Sequence, residues 1–308
     1  METATPVINV SGISKSFDGH KVVNNISLRV GHGEIFGFLG PNGSGKTTFL
    51  RILCGLLRAD EGRGTCLGYD VLRQSDQIKK HVGYMTQRFS LWEDLSLYEN
   101  LDFVARIYGV VDRKMAVAKM LDHLGLAERK KQLAGTLSGG WKQRLALAAC
   151  MIHEPRLLLL DEPTAGVDPK ARRDFWEQIH HLAAKGLTVL VTTHYMDEAE
   201  RCHRLGYIAY GHLLACGSVA EVIAGAKLST WELSGPDLPV WAEKLRVLPE
   251  VSQVVAFGST LHVSSEDDAA LAQLMNSLAG SGISGREIRS GMEDIFIHLM
   301  DQAQDNFT

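Results

Sequence analysis

Apolar and polar residues alternate over Val7–Ile13 and again over Ile26–Val30. That period of two predicts strands with one buried face, paired as an antiparallel edge. Between them, Lys15-Ser16-Phe17-Asp18-Gly19 reads as a turn presenting one aromatic. Glu34–Leu39 is a short apolar strand, and Thr47–Cys54 carries Phe49, Leu50, Leu53 and Cys54 at helical spacing. Arg58–Gly64 is polar and broken by glycine, which predicts a connector. Val82–Thr86 is again strand-like. From Arg88 to Glu154 the period changes to that of helices, over Leu97–Tyr108, Lys114–Leu124 and Trp141–Ile152. Leu157–Leu160 is a run of four leucines, which fits a parallel strand buried on both faces, and Val189–Thr192 is the next such strand.

Past residue 225 the composition shifts. Thr230–Leu233 reads as strand and Trp241–Val247 as helix, with Val251–Phe257 and Leu261–Ser264 as strands paired across Gly258-Ser259. Asp268–Leu278 is helix and Glu287–Arg289 a short strand. The order β-α-β-β-α-β predicts a small ferredoxin-like sandwich. A last amphipathic helix places Met292, Ile295, Phe296 and Leu299 at i, i+3, i+4, i+7.

The candidate chemistry sits where strands end. Gly40-Pro41-Asn42-Gly43-Ser44-Gly45-Lys46-Thr47-Thr48 fits G-x-x-x-x-G-K-[ST] between a strand and a helix. Glycines let successive backbone N–H groups converge on phosphate oxygens at a helix N-terminus, Lys46 adds a mobile charge, and the Thr47 hydroxyl is an expected Mg²⁺ ligand. Gln87 follows the Val82–Thr86 strand, where its amide oxygen can reach Mg²⁺ or an attacking water. Asp161 and Glu162 close the leucine strand before Pro163. In a nucleotide fold the first carboxylate holds the metal's hydration shell and the second polarises water. His194 follows Val189–Thr192 as a candidate sensor of the terminal phosphate. Ser138-Gly139-Gly140 opens the helix Trp141–Ile152 and makes a second anion-ready N-terminus. Phe17 either caps a core or offers a flat face to a purine. Phe89, Leu91 and Trp92 either anchor helices or form part of a partner interface.

Composition narrows the class. The 308 residues suffice for about two domains, with 45% hydrophobic and 22% charged residues and a net charge of −4. That acidic balance argues against nucleic acid as the main partner. Five scattered cysteines show no metal-ligand spacing, Cys202-His203 included, and suggest reduced thiols. Met1–Val10 lacks a basic region followed by an apolar run, so no signal peptide is expected. No stretch is apolar for the 18 or so residues a span needs. Any membrane role then requires another chain.

Taken together, G-P-N-G-S-G-K-T-T, Y-M-T-Q, L-S-G-G-W-K-Q-R, L-L-L-L-D-E-P-T-A-G-V-D-P and V-T-T-H resemble an ABC-type ATPase, the motor domain of ATP-binding cassette transporters. The match runs across residues 7–225. It implies a P-loop NTPase fold: a RecA-like α/β core with an antiparallel edge sheet and a helical subdomain over about 88–155. The nucleotide-binding domain is expected over 1–226 and a C-terminal accessory domain over 227–308. The resemblance makes Gly40–Thr48 the Walker A loop and Phe17 the aromatic that stacks on adenine. Gln87 becomes the Q-loop residue, Ser138, Gly139 and Gly140 the signature, and Asp161 with Glu162 the Walker B pair. Asp168 lies in the D-loop and His194 is the switch histidine. It also implies ATP and Mg²⁺, with Thr47, Gln87 and Asp161 around the metal. Two nucleotide-binding domains, expected as a homodimer, would close head to tail so that the signature of one covers the nucleotide of the other. The usual L-S-G-G-Q signature here has Trp141 in place of glutamine.

M-E-D-I-F-I-H-L-M near the end resembles the tail of ABC-2-type drug and sodium exporter ATPases, although a plain packing helix has the same spacing. The expectation is an ATPase subunit at the cytoplasmic face of the cell membrane, driving a separate membrane-spanning permease. The alternative is a soluble ABC ATPase acting on ribosomes or nucleic acid. The C-terminal domain is open to a third reading, as a regulator.

Overall fold

In the computed structural model, which describes residues 5–278 and 282–303, the alternating N-terminal stretches form β1 (Ile8–Phe17) and β2 (His20–Val30), paired antiparallel. β1 runs further than its pattern suggests. Lys15, Ser16 and Phe17 stay on the ladder opposite Val23, Lys21 and His20, and only Asp18-Gly19 turns. Then come β3 (Ile35–Leu39), α1 (Lys46–Leu53), β4 (Glu61–Cys66), β5 (Tyr69–Asp70), α2 (Ser75–His81) and β6 (Val82–Met85).

The expected connector at Arg58–Gly64 is largely β4, which pairs with β1 and β5 to give the antiparallel sheet β2-β1-β4-β5. Its glycines are what hide it. Gly64 has φ +141°, and a Cβ there would stand 2.2 Å from the Asn9 carbonyl oxygen. Close backbone approach, not side-chain alternation, defines this strand.

Three helices follow, α3 (Leu97–Ile107), α4 (Arg113–His123) and α5 (Gly139–Met151). A capping box starts α3, with Ser96 Oγ accepting from Glu99 N and Glu99 Oε2 from Ser96 N. Fully buried Asn100 ties the preceding connector down, bonding the backbone of Trp92, Leu95 and Ser96.

The chain then returns to the sheet through β7 (Leu157–Asp161), α6 (Pro169–Ala184), β8 (Thr188–Thr193), the short α7 (Met196–Ala199), β9 (Arg204–Ala209) and β10 (His212–Gly217). The large sheet has the order β10-β9-β3-β8-β7-β6, and β9, β3, β8, β7 and β6 pair in parallel. Its two faces meet different cores, which accounts for the unbroken apolar strands. Leu158 and Leu160 face a core built with α3, α5 and α6, while Leu157 and Leu159 face one built with α1 and the antiparallel sheet. In β8, Val189 and Val191 join the first core and Leu190 the second.

A compact unit ending at Leu213 contains this architecture up to the start of β10, and a second begins at Leu214, within that strand. The sequence reading places the border at 226/227. The helix between the two positions, α8 (Val219–Ala226), packs with the last helix of the second unit.

The second unit continues with β11 (Ser229–Ser234), α9 (Leu238–Arg246), β12 (Gln253–Phe257), β13 (Thr260–Ser265), α10 (Asp268–Ser277), β14 (Ser284–Ile288) and α11 (Met292–Gln302). Its four-stranded sheet is wholly antiparallel in the order β12-β13-β11-β14, over a core that includes Leu233, Leu245, Val263 and Leu271. Of the four residues whose spacing predicts a buried face on α11, Met292, Ile295 and Phe296 are buried and Leu299 is half-buried.

Candidate nucleotide-binding site

Strand register assembles the site. Leu39 of β3 lies opposite Thr193 of β8, Asp161 of β7 opposite Thr192, and Met85 of β6 opposite Leu160. The residues just beyond these strand ends, Gly40, Gln87, Glu162 and His194, therefore meet on one rim of the sheet.

The loop from Gly40 to Gly45 turns into α1 through Gly45, whose φ of +101° and close approach to Val22 (2.3 Å from its carbonyl oxygen to a Cβ) exclude a side chain. Asn42–Thr48 lines a cavity of about 400 Å³ with Val22, Gln87 and Glu162. Lys46 Nζ donates to the carbonyls of Gly40 (2.8 Å) and Pro41 (2.9 Å) and stands 3.4 Å from Glu162 Oε1. Burial lowers the Lys46 pKa, and the carboxylates of Glu162 and Asp161 oppose that shift. Ser44 Oγ is buried without a hydrogen-bond partner. In a nest of backbone amides, an orphaned hydroxyl and a buried ammonium are what a phosphate chain would satisfy.

Asp161 is buried and shared. Its Oδ1 accepts from Thr47 Oγ1 (3.0 Å) and Thr192 Oγ1 (2.8 Å), and its Oδ2 from Tyr84 OH (3.4 Å). Burial pushes the Tyr84 phenol up to about 12, so it stays a donor. One carboxylate and one hydroxyl, both hard oxygen donors, suit Mg²⁺ that draws its other ligands from phosphate and water. Among the described residues no group of three or more His, Cys, Asp or Glu forms a cage. The donor set fits a metal carried with a nucleotide.

Glu162 has left-handed backbone, φ +45°, and its N–H donates to Thr192 Oγ1 at 2.9 Å. Its Oε2 accepts from Gln87 Nε2 (3.1 Å) and lies 3.1 Å from His194 Nδ1. Two residues from two other strand ends, Gln87 and His194, thus fix one carboxylate beside the loop. A left-handed non-glycine residue held by this many contacts is strain of the kind found at functional sites. Thr192 escaped the sequence reading, although it lies within V-T-T-H. Its hydroxyl donates to Asp161 and accepts from Glu162, so it joins the two acids.

The other expected site residues lie apart. Ser138 is the N-cap of α5, and its side chain makes no capping bond. Neither it nor Gly139 or Gly140 lines the cavity formed by the Gly40–Thr48 loop. Gly140 also has a packing reason to be small, since a Cβ there would lie 2.6 Å from Ala171 Cβ on α6. Two guanidinium groups lie over the Trp141 ring, Arg129 at 4.4 Å and Arg144 at 5.0 Å from its centre. Asp168 caps α6 by accepting from Ala171 N at 3.0 Å. Phe17, 44% exposed at the end of β1 with Lys15 over its ring, caps no core. Phe89 and Leu91 line a narrow groove of about 160 Å³ with Val104, Tyr108, Ala146 and Ala149. Trp92 is exposed and packs edge-on against Phe103.

A phosphate-cradling loop at a helix N-terminus, with strand-end carboxylates beside it, defines a P-loop nucleotide-binding protein. The chain belongs to the ABC transporter family, whose model matches residues 23–165. It is 37% identical over 298 residues to Nod factor export ATP-binding protein I of Rhizobium sp. (strain N33), covering 95% of this chain and 96% of the relative. It is 43% identical over 220 residues to the probable multidrug ABC transporter ATP-binding protein YbhF of Escherichia coli (strain K12). That match takes 71% of this chain and spans 38% of the relative's length. Among solved structures, an ATP-binding cassette of an ABC transporter in its ADP conformation superposes with a TM-score of 0.64 at 25% identity, covering 72% of this chain and 96% of that one.

Proposed function

We propose that this chain binds and hydrolyses ATP as the motor subunit of a separate membrane-spanning ABC-2-type exporter. One observation carries the reading: Glu162, at the mouth of the phosphate cradle, is held by Gln87 and His194 and faces Lys46. In this mechanism the loop amides, Ser44 and Lys46 hold the phosphates, and Thr47, Asp161 and Gln87 hold Mg²⁺, which supplies charge neutralisation on the phosphates. Glu162 polarises the attacking water, and His194 reads the terminal phosphate. In-line phosphoryl transfer needs mainly positioning and electrostatics, which these groups provide.

Ser138–Gly140 lies outside this cavity, which supports a homodimer in which each copy closes over the other's nucleotide. Phe17 then stacks on adenine at the rim, and Asp168 lies at the joint between copies. Phe89, Leu91 and Trp92 receive a cytoplasmic segment of the permease, which holds the subunit at the cytoplasmic face of the membrane. No helix among the described residues is long and apolar enough to cross a membrane. The nucleotide-binding domain is taken as 1–226, with a helical subdomain over about 88–155, and the accessory domain as 227–308. The order β12-β13-β11-β14, with α9 and α10 as crossovers, supports a ferredoxin-like accessory domain.

A cysteine placed at Trp92 tests the partner assignment. Cross-linking in native membranes should capture a polytopic protein, and purified chain should hydrolyse ATP only with Mg²⁺. Capture of ribosomal or nucleic-acid components instead would overturn the transport reading.

A further inference from the structure

Glu162 and His194 meet because β7 and β8 lie side by side. A second, deeper contact ties the segments that leave those strands. Thr164, just past Glu162, donates its hydroxyl hydrogen to Glu198 Oε1 on α7, the helix that follows His194. Thr164 and Glu198 are 1% and 0% exposed. The carboxylate is only partly satisfied: Glu198 Oε2 is buried without a hydrogen-bond partner among the described residues. Its counter-charge is Arg172 of α6, whose Nε stands 3.6 Å from Glu198 Oε1, beyond hydrogen-bond length, and has no hydrogen-bond partner either. The same guanidinium lies over the Tyr195 ring at 4.2 Å, with Nη1 3.6 Å from Asp197 Oδ2. Arg172 thus faces the stretch just after His194.

A wholly buried carboxylate with one idle oxygen and a slack ion pair is a poor device for stability. Desolvation offsets much of the attraction, and packed apolar residues of similar volume often serve as well. What the group does supply is a directional link between two chain segments. We propose that Glu198 is a positioning residue for hydrolysis. Its carboxylate, through the Thr164 hydroxyl, holds the turn after Glu162 against the stretch after His194, so that Glu162 Oε2 and His194 Nδ1 keep their 3.1 Å approach. Arg172 keeps the carboxylate ionised and aimed at Thr164. Glu198 itself touches no reacting atom, and the inference rests on the assignment of Glu162 and His194 to ATP hydrolysis made above.

The test is single-turnover hydrolysis by the purified full chain with Mg²⁺, expressed per bound ATP, a rate that does not depend on how much of the sample is folded. Thr164→Val and Glu198→Met each remove the bond with little change of volume. Both should slow the step about tenfold or more while ATP affinity stays near that of the parent. The double variant should be no slower than the slower single one, because both act through one bond. Thr164→Ser and Glu198→Gln keep a donor and an acceptor in place and should retain the parent rate. Should Glu198→Met fail to fold, Thr164→Val against Thr164→Ser decides alone. Parent-like rates in Thr164→Val, or a double variant slowed by the product of the single effects, overturn this inference and leave the ATPase reading standing. Absence of hydrolysis in the parent chain overturns both.

Discussion

The Lys46 ammonium lies 3.4 Å from the Glu162 carboxylate, and the two side chains are 4% and 8% exposed. Among the described residues, Lys46 otherwise bonds loop carbonyls and feels the Asp161 carboxylate, and the Glu162 carboxylate meets an amide and an imidazole. The pair is thus poised to separate when phosphate arrives for the lysine and water for the glutamate. Glu162→Gln keeps the shape but removes the charge proposed to polarise water. It should bind ATP and turn over about 10²–10⁴ times more slowly. Lys46→Ala should instead lose affinity for ATP. Single-turnover hydrolysis alongside equilibrium binding distinguishes the two, and near-normal turnover by Glu162→Gln would strip Glu162 of its role.

Thr192 joins both acids through one hydroxyl, so Thr192→Val is a nearly isosteric way to loosen them. Each hydrogen bond lost is worth about 1 kcal/mol net, more with the charged Asp161. The half-maximal Mg²⁺ concentration for hydrolysis should rise several-fold, and the melting temperature should fall by a few degrees for the two buried bonds lost. A variant with wild-type Mg²⁺ dependence would make Thr192 a packing residue only.

Thr192 also shows where sequence stops. The cradle was legible because its chemistry is contiguous: glycines, Lys46 and Thr47 sit within one loop, and Asp161-Glu162 follow an apolar strand with no polar break. Gln87 and His194 could be placed at strand ends, but their meeting on one Glu162 oxygen depends on the strand order β3-β8-β7-β6, which no local pattern encodes. β4 has the pattern of a connector because Gly62 and Gly64 carry no side-chain signal, and its reason to exist is the backbone of β1. Asn100 is polar on an amphipathic helix and looks like a surface position. Its burial follows from the connector it ties down.

Gly140 invites a test that separates packing from phosphate chemistry. A Cβ there meets Ala171 Cβ at 2.6 Å. Gly140→Ala should therefore cost about 1–3 kcal/mol as α5 and α6 are forced apart. Adding Ala171→Gly removes the opposing methyl and should return part of that loss, less about 1 kcal/mol for glycine in a helix. Denaturant unfolding without nucleotide reads this directly. Additive costs in the double variant would show that the two residues do not press on each other.

Burial of thiols sets an alkaline limit to stability. Burial pushes Cys150 and Cys66 up to about 12 and Cys54 to about 11, from an ordinary 9.0. Above pH 9 the unfolded chain releases these protons while the folded chain keeps them. The folded state then binds more protons, and unfolding becomes easier as pH rises. Each such thiol withdraws about 1.4 kcal/mol per pH unit between its unfolded and folded pKa values. Buried Lys46 works in the opposite sense: its pKa is lowered, so the unfolded state holds the extra proton below 10.5 and stability gains with pH there. With several thiols against one lysine, the melting temperature should fall steadily from pH 9 to pH 10.5. Cys150→Ala, placed within α5 where alanine suits the helix, should make that fall shallower by one thiol's share even though the variant starts lower at pH 8. Parallel pH profiles for the variant and the parent would show that Cys150 ionises no later in the folded chain than in the unfolded one.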